Sequence, residues 1–378
     1  MSSNKPLPYR LLWTWDHSTN WDPAQPGGQE EGCGNPYTKP AESFLSDYTR
    51  LIDCMADLDL NGLIVWGFLR DAHGGVQAAQ RLCDYARRKN VRILPGVGVM
   101  AYGGFYYQGD HEFSMAKWIE RYPEMSAVDE NGQPYNWTAF PPDGPHMQAL
   151  CPSRPANVEW NLNGLRWLID NFDIGGINYE TGDYAVCHCD LCRDKKAGVN
   201  VLSPGKPADK INVSFDTMAH VYPLLMDQAH TLKPDLWQVY STYCGYRSDM
   251  AQAVRRFLDP IPQYAICQWT LTHMLDDDHD FPWEDDLLFP ARHNVGFFHQ
   301  GSQWFTALGG KGPFGRYDPV IETIQKAAAK GSRAGLEGLV THGEVAADHP
   351  AWTQNYRAFS HFTHHPGRRV EDLEATGQ

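Results

Sequence analysis

An α/β chain closing into a (β/α)8 TIM barrel with elaborated βα loops is the fold this sequence predicts, on three observations. Short apolar, β-branched or aromatic runs alternate with longer segments of helical period, the pattern of parallel βα units. The alternation recurs eight times, the number that closes a barrel. No G-x-G-x-x-G opens the first helix, as a doubly wound dinucleotide-binding sheet would require.

The first run is YRLLWTW (9–15), followed by a segment in which Phe44, Tyr48, Leu51, Ile52 and Met55 share one helical face. GLIVWGF (62–68) comes next, with Val76, Ala79, Cys83 and Ala86 lining the helix after it. The third strand is VRILPGVGV (91–99). Residues 101–154, rich in Gly, Tyr, Pro and Asp, exceed what one crossover needs and read as an insertion over the top of the barrel. A helix at 155–172 leads to IGGINYE (174–180), and one at 214–232 leads to LWQVYSTY (236–243). After a helix at 249–258 come YAICQWTL (264–271) and VGFFHQG (295–301). A helix at 319–333, LEGLVTHGE (336–344) and a helix at 351–362 complete the pattern. Neither a repeat nor a linker-like tract interrupts it, so a single catalytic domain over 1–378 is expected.

Composition narrows the function. The 378 residues are 42% apolar and carry 46 acidic against 32 basic side chains, a net charge of −14. A chain of that sign has no general attraction for phosphate backbones or anionic lipid, so no nucleic-acid and no membrane partner is expected. The opening MSSNKPLPYR lacks an apolar core, and no later stretch of 18 residues is uninterruptedly apolar, which predicts a soluble, cytoplasmic protein. Nine cysteines, with Cys33, Cys54, Cys83, Cys151, Cys244 and Cys267 scattered singly, suit reduced thiols better than a disulfide framework. Nothing in the sequence indicates an oligomeric state.

Chemistry in such a barrel sits at the C-terminal ends of the strands. Those ends are polar and aromatic here: Trp15, Asp16 and His17 after the first strand, Trp66, Arg70 and Asp71 at the second, Asn178, Tyr179, Glu180 and Asp183 at the fourth. Tyr243 closes the fifth, Trp269 lies in the sixth, His299, Gln300 and Trp304 follow the seventh, and His342 and Glu344 end the eighth. Such a rim suits a carbohydrate, whose C–H faces stack on aromatic rings and whose hydroxyls bond to carboxylates, amides and imidazoles. Any single Trp is equally well explained by packing under a loop.

Glycosidic bond cleavage needs a carboxylic acid to protonate the leaving oxygen and, usually, a second carboxylate as nucleophile or base. Glu180, closing an apolar strand where partial burial favours its protonated form, is the candidate acid. Glu344, across the barrel, is the candidate partner; a wide gap would leave room for a water and suit inversion. Its alternative role is a favourable charge at the start of the last helix. Asp16, Asp71 and Asp183 are reserves, and Arg70 could pair with a uronic-acid carboxylate.

The stretch GGINYETGDYAVCHCDLC, together with a last strand followed by a helix carrying Asn355, Tyr356, Ala358 and Phe359, resembles glycoside-hydrolase-like TIM barrels. The likeness is to the alpha-glucuronidase and hexosaminidase-type neighbourhood and to uncharacterised glycosidase-like families in which strand 4 carries an acid and a C-x-C-x-x-C loop follows. Many retaining members carry Asn-Glu on strand 4 and a second Glu on strand 7. Here Tyr179 separates Asn178 from Glu180, and strand 7 runs into His299-Gln300. The N-x-E spacing is also similar to substrate-assisted hexosaminidases, which implies Asn178 as the orienter of a substrate acetamide and Glu180 as the acid.

Cys187, His188, Cys189 and Cys192 form a second constellation, and thiolates are good Zn²⁺ ligands. Three ligands from this loop with a fourth from Cys151 or Cys244 would make a structural zinc site; the alternative is reduced thiols that pack the loop. No H-E-x-x-H or H-x-H pattern occurs, so catalysis is expected to require no cofactor. The acidic run Asp276, Asp277, Asp278, His279, Asp280 lacks a calcium-loop pattern and reads as a solvated loop. A metal-dependent sugar isomerase or lyase and a non-catalytic carbohydrate-binding barrel are the competing functions.

Overall fold

A computed structural model describes residues 5–16, 40–129, 131–134, 148–181, 187–193, 215–245, 259–270, 293–298, 319–343 and 350–375. Eight parallel strands close a barrel in chain order: β1 Tyr9–Trp15, β2 Gly62–Trp66, β3 Arg92–Gly98, β4 Gly176–Glu180, β5 Trp237–Gly245, β6 Ile266–Thr270, β7 His293–Phe298 and β8 Gly338–His342. The seam is the β1·β8 pairing, which runs from Tyr9 opposite Gly338 to Trp13 opposite His342. Each expected strand is present: β1 has the expected bounds, and the ends of the others differ from expectation by at most three residues, most by being shorter, although β5 runs two residues further and β7 starts two residues earlier.

Strands buried on both faces read as continuous apolar runs, and alternation decides which residues face where. Leu11, Trp13, Trp15, Ile64, Trp66, Leu94, Val239, Ile266, Val295, Phe297 and Val340 pack together inside the barrel. Their neighbours Leu12, Leu63, Val65, Ile93, Ile177, Tyr179, Tyr240, Cys267, Trp269 and Leu339 pack outward against the helices. Gly96 makes the inner layer fit, because a Cβ there would run into the Trp66 indole.

The helices form where apolar positions recur on one stripe. In α1 (Ala41–Asp57) the buried residues are Phe44, Tyr48, Leu51, Ile52 and Met55. In α2 (Gly75–Arg88) they include Ala78, Ala79, Leu82, Cys83 and Ala86. The described residues of the 101–154 segment form a packed subassembly: α3 (Met115–Arg121), a 3-10 turn over Pro123–Met125, and short bridges from Ser126 to Leu150 and from Val128 to Pro134. Its Trp118 stacks on Trp160 at 5.8 Å between centroids and donates its indole N–H to Asn157 Oδ1 at 2.8 Å. Both partners belong to α4 (Pro155–Asn171), which opens with proline at its first position, where the missing N–H costs nothing. The remaining helices are α5 (Asp190–Arg193), α6 (Phe215–Leu232), α7 (Ile321–Arg333), α8 (Pro350–His364) and α9 (Val370–Ala375). The helix expected at 249–258 and the Asp276–Asp280 run lie outside the described residues. No described helix is long and apolar enough to cross a membrane.

Candidate active site

Glu180 is the last residue of β4 and is buried, with 2% of its surface exposed. Alternation along the strand puts it on the same face as Asn178, two residues earlier, and Asn178 marks that face as the barrel interior. The Asn178 carbonyl Oδ1 accepts the Trp66 indole N–H at 3.0 Å, and its amide nitrogen donates to Ser241 Oγ at 3.3 Å and to the Val239 carbonyl at 3.5 Å. Ser241 in turn accepts from the Gln268 amide at 2.9 Å. The backbone of Glu180 is held as firmly: its carbonyl accepts the Val99 N–H at 2.7 Å, and it lies opposite Gly98 in the β3·β4 ladder. The carboxyl group therefore stands on a hydrogen-bonded polar layer at the mouth end of the barrel.

An aromatic wall rises around that layer. Trp15 lies 5.3 Å from Trp66 and 5.7 Å from Tyr107 between ring centroids, and Tyr102 meets Trp66 edge-on at 5.5 Å. Trp13 meets His342 edge-on at 5.2 Å, and Phe297 lies 4.9 Å from the same imidazole. Tyr102 is held there by backbone in the left-handed region: Met100 has φ 62°, Tyr102 φ 46°, Gly103 φ 78° and Gly104 φ 82°. Left-handed backbone at two non-glycine residues costs of order 1 kcal/mol or more each and persists only when the surroundings impose it. The Leu150 N–H donating to the Met100 carbonyl at 2.9 Å, and Met115 N–H to Gly103 at 2.9 Å, supply that imposition.

Asp16 and Arg70 form a buried two-pronged ion pair at the ends of β1 and β2. Arg70 Nε lies 2.5 Å from Asp16 Oδ2, and Nη2 donates to Oδ1 at 3.2 Å. Nη1 donates to Gln108 Oε1 at 2.5 Å, and the guanidinium sits 4.3 Å from the Tyr107 ring centroid. With its fork committed in this way, Arg70 is not available to grip a substrate carboxylate; Asp16, its charge matched, braces the two strand ends. Beside them His73, fully buried and stacked 3.8 Å from Phe44, has its pKa pushed down by burial; its Nε2 lies 2.8 Å from the Gly67 carbonyl. Asp71 is exposed, and the Tyr106 hydroxyl, donating to it, holds its carboxyl below the usual range, helped by the Asp110 N–H at 2.9 Å.

Of the residues the sequence singled out, Trp15, Trp66, Asn178, Glu180 and His342 gather at the mouth end of the barrel interior, while Asp16 and Arg70 pair with each other just past the ends of β1 and β2. Tyr179 and Trp269 face the helices instead. Tyr179 donates to Gln238 Oε1 at 3.1 Å and packs on Tyr222, while Trp269 donates to Asn294 Oδ1 at 3.0 Å. That orientation corrects the expectation that they touch substrate, and the reason is the two-residue period of the strand. His17, Asp183, His299, Gln300, Trp304 and Glu344 lie outside the described residues, as does the side chain of Tyr243. Trp13, Tyr102 and Tyr107 were not singled out; Trp13 had a signal in its spacing from Trp15, whereas the tyrosines reach the mouth only through the folded insertion.

Beside the mouth, the thiols of Cys151, Cys187, Cys189 and Cys192 come together, all four sulfurs within 4.8 Å of one another. Such a group of soft donors could hold a metal ion. Hydrogen bonds from Cys151 and Cys187 push the Cys192 thiol far down, favouring a thiolate there.

A closed parallel eight-stranded barrel is the (β/α)8 TIM-barrel architecture, and comparison with solved structures finds glycoside hydrolases built on the same fold. No protein-family profile and no curated protein matches the sequence. An O-GlcNAc hydrolase from Thermobaculum terrenum superposes with a TM-score of 0.55 at 10% identity, over 97% of this chain and 61% of that one. Alpha-L-fucosidase isoenzyme 2 from Paenibacillus thiaminolyticus gives 0.53 at 14%, over 94% of this chain and 49% of that one. A maltogenic alpha-amylase from Thermotoga neapolitana gives 0.52 at 10%, over 94% and 76%. The chain thus spans about half the length of the fucosidase and under two thirds of the O-GlcNAc hydrolase. The likeness is one of fold: this chain has the TIM barrel on which those glycoside hydrolases are built.

Proposed function

We propose that the protein is a glycoside hydrolase acting on an oligo- or polysaccharide, with Glu180 as the general acid. The observation that carries this reading is a buried glutamate closing β4 inside an aromatic-walled barrel mouth, over a polar layer in which Asn178 is hydrogen-bonded to Trp66 and Ser241. In the reaction, Glu180 gives its proton to the leaving glycosidic oxygen as the C1–O bond breaks. A water, deprotonated by the second carboxylate, then adds to the opposite face of the sugar.

For that second carboxylate we propose Glu344, which follows β8 by two residues in the sequence, with inversion at the anomeric carbon. The reserves are weaker. Asp16 is committed to Arg70 and Asp71 to Tyr106, and a carboxylate already neutralised by fixed donors is a poor base. Asp183 remains as the alternative partner. Catalysis in this reading needs no cofactor, and the cysteine cluster holds a structural zinc that takes no part in the reaction. The bonded state of Asn178 argues against the substrate-assisted route, because the amide meant to orient an acetamide already serves Trp66 and Ser241.

Glu180→Gln keeps the shape and removes the proton. Release of reducing ends from a panel of oligosaccharides should fall by about 10²- to 10⁴-fold, with substrates bearing good leaving groups least affected. Near-normal turnover of an unactivated substrate would sink the assignment. Proton NMR of the first-formed product should show the inverted anomer; a retained anomer would remove Glu344 as base.

A further inference from the structure

We propose that Cys151, Cys187, Cys189 and Cys192 bind one Zn²⁺ in a closed tetrahedral site that staples the insertion after β3 to the loop after β4. A Zn–S bond of about 2.3 Å in a tetrahedron puts sulfurs roughly 3.8 Å apart. Cys151 Sγ lies 3.5 Å from Cys189 Sγ and 3.5 Å from Cys192 Sγ, and no pair in the group exceeds 4.8 Å. That is too far for any disulfide, whose sulfurs are about 2.05 Å apart, and too tight for a multi-iron cluster, leaving room for a single ion. The other described cysteines, Cys54, Cys83 and Cys267, belong to no such group.

The ligands come from two places in the chain, and the backbone has already brought those places together. Cys151 N–H donates to the Met125 carbonyl at 3.0 Å, and His188 N–H donates to Val128 at 2.8 Å. Val128 N–H points at Cys187 Sγ, 3.4 Å away. Asn157 of α4 caps the Met125 and Cys151 carbonyls at 2.9 Å each, which fixes the approach of Cys151. With four protein ligands and no open position, the ion is structural and has no place for a substrate.

The staple spans the two βα loops that flank Glu180. Cys151 follows Leu150, which is bonded to the strained Met100 two residues before Tyr102, and the Cys187–Cys192 segment follows β4 in the sequence. The metal is thus a positioning device for both the acid-bearing loop and the aromatic wall. This last role rests on the proposed hydrolase reading; metal binding does not.

The full-length protein, purified without chelators, should contain about one equivalent of zinc by elemental mass spectrometry, and Co²⁺ exchanged into it should show intense sulfur-to-cobalt charge-transfer bands of a tetrahedral thiolate site. Cys151→Ser should weaken metal affinity at least 10- to 100-fold, the loss that even an outer-sphere partner costs, and Cys54→Ser should leave the stoichiometry at one. If Cys151→Ser fails to fold, competition of the unmodified protein against a chromophoric chelator still reads the affinity. Absence of metal together with no uptake of added Zn²⁺ or Co²⁺ would overturn the proposal. So would iron in place of zinc, or an intact mass lowered by four hydrogens, signifying two disulfides. Full zinc occupancy with no hydrolase activity on any glycan would leave the staple standing and reject only the reaction.

Discussion

Asn178 shows how much one amide can settle inside a barrel. It joins β2, β4 and β5 through Trp66, its own strand and Ser241, all without solvent. Asn178→Leu leaves the Trp66 indole N–H without its acceptor, while Ser241 keeps its bond from Gln268, and a stranded buried group costs about 1–3 kcal/mol. Urea unfolding should record a loss in that range, with the m-value unchanged. His73 supplies a pH signature. Its folded-state pKa is depressed by burial, so the unfolded chain takes up the proton first as the pH falls. The stability it contributes is present above its unfolded value of about 6.5 and is lost progressively below it. Unfolding free energies between about pH 7.5 and pH 5 should slope downward, and His73→Gln, which keeps a donor for the Gly67 carbonyl, should flatten that slope.

Strands were the most legible elements, because a sheet buried on both faces writes itself as uninterrupted Val, Ile, Leu and aromatic runs. Glu180 was legible for the same reason: it is the first charged residue after such a run. Face was less legible than place. Tyr179 and Trp269 sit at strand ends, yet the period of two turns them toward α6 and Asn294, and only the inward partners Asn178 and Gln268 reveal it. The cysteine group was half legible: three thiols are adjacent in sequence, whereas the choice between Cys151 and Cys244 depended on a tertiary approach that no local pattern encodes. The same holds for Tyr102, carried to the mouth by an insertion whose order comes from packing against α4. Inside the barrel the layers alternate large and small. Gly96→Ala, which drives a methyl into the Trp66 indole, should therefore destabilise by about 1–3 kcal/mol and disturb the Trp66–Asn178 bond. Near-ultraviolet circular dichroism of the tryptophans would report the second effect.

At the scale of the whole molecule, charge sets a test of the proposed hydrolase. A net charge of −14 repels polyanions over a Debye length of about 8–10 Å. Neutral glycans should accordingly be processed with kcat/KM nearly independent of salt, while polyuronates should be poor substrates at low ionic strength and improve as salt is added. Arg70, locked to Asp16, gives no local relief from that field. Turnover assays across a salt series on matched neutral and uronic oligomers would separate the two behaviours.

The β1·β8 seam carries a consequence for how the molecule comes into being. Tyr9 pairs with Gly338 and Trp13 with His342, and Leu7 N–H reaches the Thr363 carbonyl at 2.8 Å, so one edge of the first strand bonds to β2 and the other only to the latest residues. On a ribosome, β1 is made first and its open edge has no second neighbour until β8 has left the exit tunnel. Contacts of such long sequence separation make the final closure slow, and an apolar strand with an unmet edge is the surface that chaperones and aggregation compete for. The order of synthesis therefore runs against the order of closure, and the last strand acts as the latch.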